Sequence, residues 1–258
     1  MKRGVWEHIS LPAIAHANDP LGRAKGEALW PAEFPLEDLL DTKRQIGPFL
    51  WSALYDGNPV WEGAKLFDEP GRFSLKTFNI EGKRACIALD PAASKKAAAD
   101  YSAIIVAAME GFGLFTKMYI LDVVRMQTTV PKVVRRALDI QRQRGLLVVV
   151  EAVGGFKAVP QYLREIEPAL RVHEITPSTD KLQRALPVSA AWLDNRVLVP
   201  DDAPWVAEYL AEMTAFTGVN DQHDDQVDAT AHAWNAMYRD GRPRGGRTRR
   251  VSHEWSPG

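Results

Sequence analysis

Three places in this 258-residue sequence put carboxylates where they could act together. Asp90 closes the apolar run Arg84–Asp90 (RACIALD) and is followed at once by Pro91. Glu151 ends the run Leu146–Val150 (LLVVV) in the same way and is followed by Ala-Val-Gly-Gly. The third place is His223-Asp224-Asp225-Gln226-Val227-Asp228, with three carboxylates in five residues. A carboxylate left unpaired beside five apolar residues would cost several kcal/mol on burial, so Glu151 must be exposed at a strand end, paired, or bound to a metal. Asp224 and Asp228 stand four apart and Asp225 and Asp228 three apart, spacings that share one face of a helix. Such charges repel unless water or a cation neutralises them. Acidic residues also suit the first turn of a helix, where they complement its dipole. Taken alone, HDDQVD fits a helix cap and a metal site equally; beside Asp90 and Glu151 the metal site is favoured.

The chemistry expected of such a set is two-metal phosphodiester hydrolysis, with two ions about 3.5–4 Å apart. Asp90 would bridge both ions, Glu151 would complete one coordination sphere, and Asp225, assisted by Asp224, the other. The only cysteine is Cys86, which precedes Ile87-Ala88-Leu89 and reads as a buried structural thiol. Oxygen ligands without cysteine favour Mg²⁺ or Mn²⁺ over Zn²⁺.

The elements that must position these residues alternate between strands and helices from about residue 69. Arg84–Asp90, Ser102–Met109 and Lys117–Arg125 read as strands, close enough in sequence for an antiparallel meander. Helix Val130–Arg144 follows, then Leu146–Val150, whose unbroken apolar character suits a strand covered on both faces. Helix Val159–Ile166, strand Arg171–Thr176, helix Lys181–Leu193, short strand Arg196–Val199, and helices Trp205–Thr214 and His223–Tyr238 complete the pattern. The β-β-β-α-β-α-β-α order predicts a mixed α/β sheet flanked by helices, not a doubly wound parallel one. Residues 1–68 are rich in Trp, Pro and Gly, with a helix over Pro35–Tyr55 that Gly47-Pro48 could interrupt, and read as a small accessory segment.

Composition narrows the function classes. The net charge of −1 divides unevenly: residues 241–258 carry five arginines against Glu254, a net of +4, leaving −5 for the rest. That Gly/Pro/Arg tail reads as disordered and able to touch phosphates without sequence preference, or as a plain solvated terminus. No apolar run approaches the roughly 20 residues of a membrane span, and the N-terminus lacks the features of a signal peptide, which points to the cytoplasm. No GxxxxGK[ST] occurs, so no P-loop nucleotide site is expected.

At ALDPAASKKAAADYSA, VVVEAVGGFKAVPQ, DKLQRALPVSAAW and HDDQVDATAHAWN the chain resembles the C-terminal nuclease domain of the large terminase subunit of tailed bacteriophages. The motifs run in the family's order from about residue 84 to 238. Residues 1–68, notably LPAIA, DPLGR, GEALWP and Trp51–Pro59, resemble the end of the terminase ATPase region and its linker. The resemblance implies an RNase H-like fold over 69–240 and cutting of concatemeric double-stranded viral DNA during packaging in the host bacterial cytoplasm. It also implies metal at Asp90, Glu151 and Asp225, with Asp224 beside them, and as partners the terminase motor, the small subunit and the portal. Because the motor's nucleotide motifs are missing, the chain is expected to be an excised domain, a truncated prophage product or half of a split gene, unable to translocate DNA alone. Other RNase H-like enzymes, a resolvase or a hybrid hydrolase, and a non-catalytic docking module are the competing readings.

Several further residues carry weaker expectations. Asp100 could support the metal cluster or form a turn. Lys181 or Arg184 could meet a DNA phosphate, against an ordinary solvated helix face. His223 could shuttle a proton or orient a carboxylate, and Asp228 could support the cluster. Trp192, Trp205 and Trp234 read as core.

Overall fold

The computed structural model describes residues 9–58, 65–91, 101–177, 179–219, 221 and 223–238. Its centre is a mixed seven-stranded sheet of β1 (Gly71–Phe73), β2 (Arg84–Asp90), β3 (Ser102–Glu110), β4 (Lys117–Met126), β5 (Leu147–Glu151), β6 (Val172–Ile175) and β7 (Val197–Pro200), in the order β1-β7-β4-β3-β2-β5-β6. The meander expected from the three early runs is there, with β2–β3 and β3–β4 antiparallel. β5 then pairs parallel with β2, and β6 parallel with β5. Strand β1 was not foreseen. Three residues are too few to show a period, and it exists by pairing in parallel with β7.

Among the described residues there are six α-helices, five flanking the sheet and α1 packed on α4: α1 (Leu36–Leu54), α2 (Val130–Arg144), α3 (Val159–Ile166), α4 (Lys181–Leu193), α5 (Val206–Ala215) and α6 (Asp225–Met237). Their ends follow local chemistry. In α2, Pro131 sits in the first turn, where a missing N–H costs nothing. Gly145 then closes that helix in the left-handed conformation, at φ 67°. In α4, the Asp180 carboxylate accepts a hydrogen bond from the Gln183 N–H at 2.8 Å, an N-terminal cap.

Strand alternation sorts the core into two layers. Ile87, Leu89, Ile104, Val106, Val148 and Val150 face one way and pack with Val133, Val134, Ala137, Leu138 and Leu163 of α2 and α3. Cys86, Ala88, Ala103, Ile105, Ala107 and Val149 face the other way, against α4, α5 and α6. Cys86 is fully enclosed, and burial pushes its thiol up to about 12, so it serves packing and not nucleophilic chemistry. Trp192 and Trp234 are core residues as expected, and Trp205 packs partly buried against the same layer.

The layer on the α6 side is lined with small residues: Ala88, Ala103 and Ala107 from the sheet, and Ala229, Ala231 and Ala233 from the helix. Small side chains let helix and sheet approach closely. Arg84, at the start of β2, donates to the Met237 carbonyl at 3.0 Å and so caps the carboxyl end of α6, which has no basic residue in its own last turn.

Residues before 69 join this core. Phe67 is fully buried and meets Trp192 edge-on at 5.4 Å. Ser189 Oγ donates to the Leu66 carbonyl at 2.5 Å, and Trp192 Nε1 to the Asp68 carbonyl at 2.5 Å. Helix α1 packs against α4 and bends at Gly47, whose φ of 76° and ψ of 168° suit glycine alone. A Cβ there would stand 2.8 Å from Ala190 Cβ. Gly47→Ala is therefore expected to destabilise the protein by about 1–3 kcal/mol through overpacking, seen as a lower urea midpoint with an unchanged m-value.

Candidate metal centre

The parallel register Leu89↔Val150 makes the next residue of each strand, Asp90 and Glu151, neighbours at one end of the ladder. Asp90 lies two residues beyond Ala88 and Glu151 two beyond Val149, so both belong to the face that meets α6. From the helix side, Asp225, Asp228 and His232 fall at i, i+3 and i+7, one stripe of α6. Two strand ends and one helical stripe thus converge.

The electrostatics show how crowded the centre is. Burial raises the Asp90 carboxyl well above the ordinary carboxylate range. Asp228, Asp225 and Glu151 add to this, and Lys181 opposes it. Asp225 is pushed up to about 7, first by burial and then by Glu212 and Asp224, against Lys181 and Arg125. Glu151 goes the other way: the His232 imidazole beside it holds it below the usual range despite burial, with Arg184 and Lys181 assisting.

Two of the acids have their own counter-ions. Lys181 Nζ donates to both Asp224 oxygens at 2.8 Å and lies 3.1 Å from Asp228. Burial works against the Lys181 charge, but its bonds to Asp224 and Asp228 outweigh that and raise its pKa. Arg184 Nη2 donates to Asp228 at 2.9 Å, and Nη1 to the Thr179 carbonyl at 2.9 Å. Lys181 and Arg184, one of which was expected at a DNA phosphate, thus both pair with aspartates of the centre. Arg184, 14% exposed, is enclosed, whereas Lys181 stays half-exposed at the rim.

Asp225 and Asp228 do lie in the first turn of α6, where the helix-terminus alternative for HDDQVD expects acidic residues. Asp224 occupies the N-cap position but makes no side-chain capping bond. Instead Glu212 of α5 accepts from the Gln226 N–H at 2.7 Å and from Gln226 Nε2 at 2.6 Å. His223 stands apart from the Asp90–Glu151 pair, its ring edge-on to Tyr101 at 5.6 Å, and Tyr101 in turn lies under the Arg125 guanidinium at 3.8 Å. Asp100 lies outside the described residues.

Among the described residues, one set of three metal-ligating side chains has its donor atoms within 4.8 Å of one another: Asp90, Glu151 and His232. Asp225 is a charged neighbour of Asp90 outside that tightest group. His232 was not singled out among the sequence candidates. Its signal was available in the spacing, four residues after Asp228 and seven after Asp225.

The sheet order and the acidic centre at its ladder end define an α/β domain of the RNase H-like class. Residues 87–237 match the family described as the terminase RNaseH-like domain, and the chain belongs to that family. Among solved structures, the large terminase of a thermophilic bacteriophage in complex with ADP is similar at a TM-score of 0.56 and 12% identity, over 78% of this chain and 52% of that one. The chain thus spans about half the length of that protein. The large terminase nuclease of thermophilic phage G20c with bound zinc is 20% identical, over 61% of this chain and 82% of that one, at a TM-score of 0.47. The nuclease domain of the bacteriophage SPP1 large terminase with bound Mn is 11% identical, over 67% and 99%, also at 0.47. No curated protein matches the chain. No helix among the described residues is long and apolar enough to cross a membrane.

The raised Asp225 carboxyl has a consequence for the metal-free protein. Its folded value of about 7 exceeds the ordinary 3.8, so the native state holds that proton more tightly than the unfolded chain does. The stability this contributes is present below about pH 4 and is lost as pH rises through about 7. Asp225→Asn should flatten that decline, read as the difference between variant and parent urea midpoints across this pH range in EDTA.

Proposed function

We propose that this chain is the nuclease part of a phage or prophage large terminase, a divalent-metal-dependent endodeoxyribonuclease that cuts concatemeric double-stranded DNA during genome packaging. The observation that carries this reading is the meeting of Asp90 and Glu151, at adjacent parallel strand ends, with the Asp225–Asp228 stripe of α6, in a chain of the terminase RNaseH-like family.

The residues present fit a divalent cation. Asp90 lies among three other carboxylates, and His232 Nε2 is buried there without a hydrogen-bond partner. Asp90, Glu151 and Asp225, with Asp224 beside them, would hold Mg²⁺ or Mn²⁺, in the two-ion arrangement that phosphodiester hydrolysis favours. Bound cations supply Lewis acidity, lowering the pKa of a water and stabilising charge on the leaving oxygen. The protein's own groups do the rest. Glu151, held ionised, keeps a negative ligand in place at neutral pH. Arg184 fixes Asp228 and so the rotation of α6, while Lys181 restrains Asp224 and offers a half-exposed ammonium beside the strand ends for a DNA phosphate. Residues 1–68 would correspond to the end of the ATPase region and its linker, and 241–258 to a basic tail that follows phosphates. The motor, small subunit and portal are the partners such a protein would meet in the host cytoplasm.

Supercoiled plasmid incubated with Mg²⁺ or Mn²⁺ should be nicked and linearised. Asp90→Asn, which keeps the side-chain shape, should slow this by about a hundredfold or more, the scale on which single charge-stabilising groups act. Equal nicking by parent and variant, or preferential cutting of RNA–DNA hybrids or four-way junctions, would overturn the assignment.

A further inference from the structure

We infer that His232 is a direct ligand of the cation held by Asp90 and Glu151, which makes this a mixed nitrogen–oxygen site. The inference rests on the reading of the acidic centre as a cation site and adds to it a ligand from the second turn of α6.

The imidazole is 1% exposed, and its Nε2 has no hydrogen-bond partner. Buried polar side-chain atoms are overwhelmingly partnered, and leaving one without a partner costs about 1–3 kcal/mol. The Glu151 carboxylate is near enough to be that partner, with Oε2 at 3.2 Å, yet the pair is out of line for a hydrogen bond. The separation is that of an ion pair when the imidazole is protonated, and equally that of two ligands of one ion when it is not. Ligands about 2.0–2.2 Å from a common ion, at tetrahedral or octahedral angles, stand roughly 3.0–3.5 Å apart. The Asp90 carboxylate completes the group, with all three donor atoms within 4.8 Å of one another.

The fold explains why the imidazole can reach. Ala229, Ala231 and Ala233 bring α6 down onto the alanine-lined sheet, and position 232 falls on the stripe already occupied by Asp225 and Asp228. An all-oxygen centre would suit Mg²⁺; an imidazole ligand shifts preference away from Mg²⁺ toward transition-metal ions, Zn²⁺ more than Mn²⁺.

Pulsed electron paramagnetic resonance of the full chain loaded with Mn²⁺ reads this directly, because a nitrogen bonded to Mn²⁺ modulates the electron spin echo. The parent should show the coupling of one coordinated ¹⁴N. His232→Gln should abolish it and weaken Mn²⁺ binding by about tenfold or more, with a smaller loss for Mg²⁺. His223→Gln, which alters the histidine on Tyr101 outside the ligand group, should leave the coupling intact. Saturable Mn²⁺ binding without nitrogen coupling in the parent would overturn the ligand assignment while leaving the nuclease reading to the plasmid assay. Coupling that survives in His232→Gln would overturn it equally, and no saturable Mn²⁺ binding would overturn both readings. The parent measurement decides the matter even if His232→Gln folds poorly.

Discussion

Everything at the acidic centre depends on how closely one helix lies against one strand. Helix α6 has thirteen residues and β2 seven, both close to 20 Å long at about 1.5 Å and 3.3 Å per residue. The helix is held at both ends. Glu212 takes the Gln226 N–H at its start, and Arg84 takes the Met237 carbonyl at its finish. Arg84 opens β2 and Asp90 closes it, so the strand that caps the helix also delivers the carboxylate to its other end. Alanines on both surfaces set the spacing. A bulkier residue at 88, 229 or 233 would lift the helix and draw Asp228 and His232 away from the strand ends.

The charges brought together are not neutralised evenly. Asp224 and Asp228 have Lys181 and Arg184, both from the first turn of α4. Asp90 has no such neighbour within bonding distance among the described residues, and burial first, then repulsion from the other carboxylates, pushes its pKa up. Asp225 is raised likewise, by burial first and then by Glu212 and Asp224. The fold thus pairs Asp224 and Asp228 with cations and leaves Asp90 and Asp225 without a paired base among the described residues. This asymmetry separates a cation site from a surface ion-pair network, in which each acid would find its own base.

Most of the fold was legible in the sequence because its elements are long and strongly patterned. Arg84–Asp90, Val130–Arg144, Val159–Ile166 and Lys181–Leu193 appear with the bounds their residues suggest. Asp90 and Glu151 were visible because a charge at the end of an unbroken apolar run stands out against its neighbours and must be solvated, paired or ligated. Strand β1 was hidden because it borrows its order from β7. His232 was hidden for a different reason: it lies among alanines in a helix buried nearly all round, where a periodic reading assigns every position to packing. The inward turn of Lys181 and Arg184 depends on α4 and α6 lying side by side, which no local pattern encodes.

Composition draws a boundary near residue 69, but the hydrogen bonds and the core do not respect it. Phe67 fills space beside Trp192, and the carbonyls of Leu66 and Asp68 accept from Ser189 and Trp192 of α4. A trimmed chain beginning at residue 69 would keep every carboxylate of the centre. It would also open a void against α4 and strand two buried donors on the helix that carries Lys181 and Arg184. For anyone shortening this protein, a piece that keeps these contacts therefore starts no later than Leu66, before the sheet does.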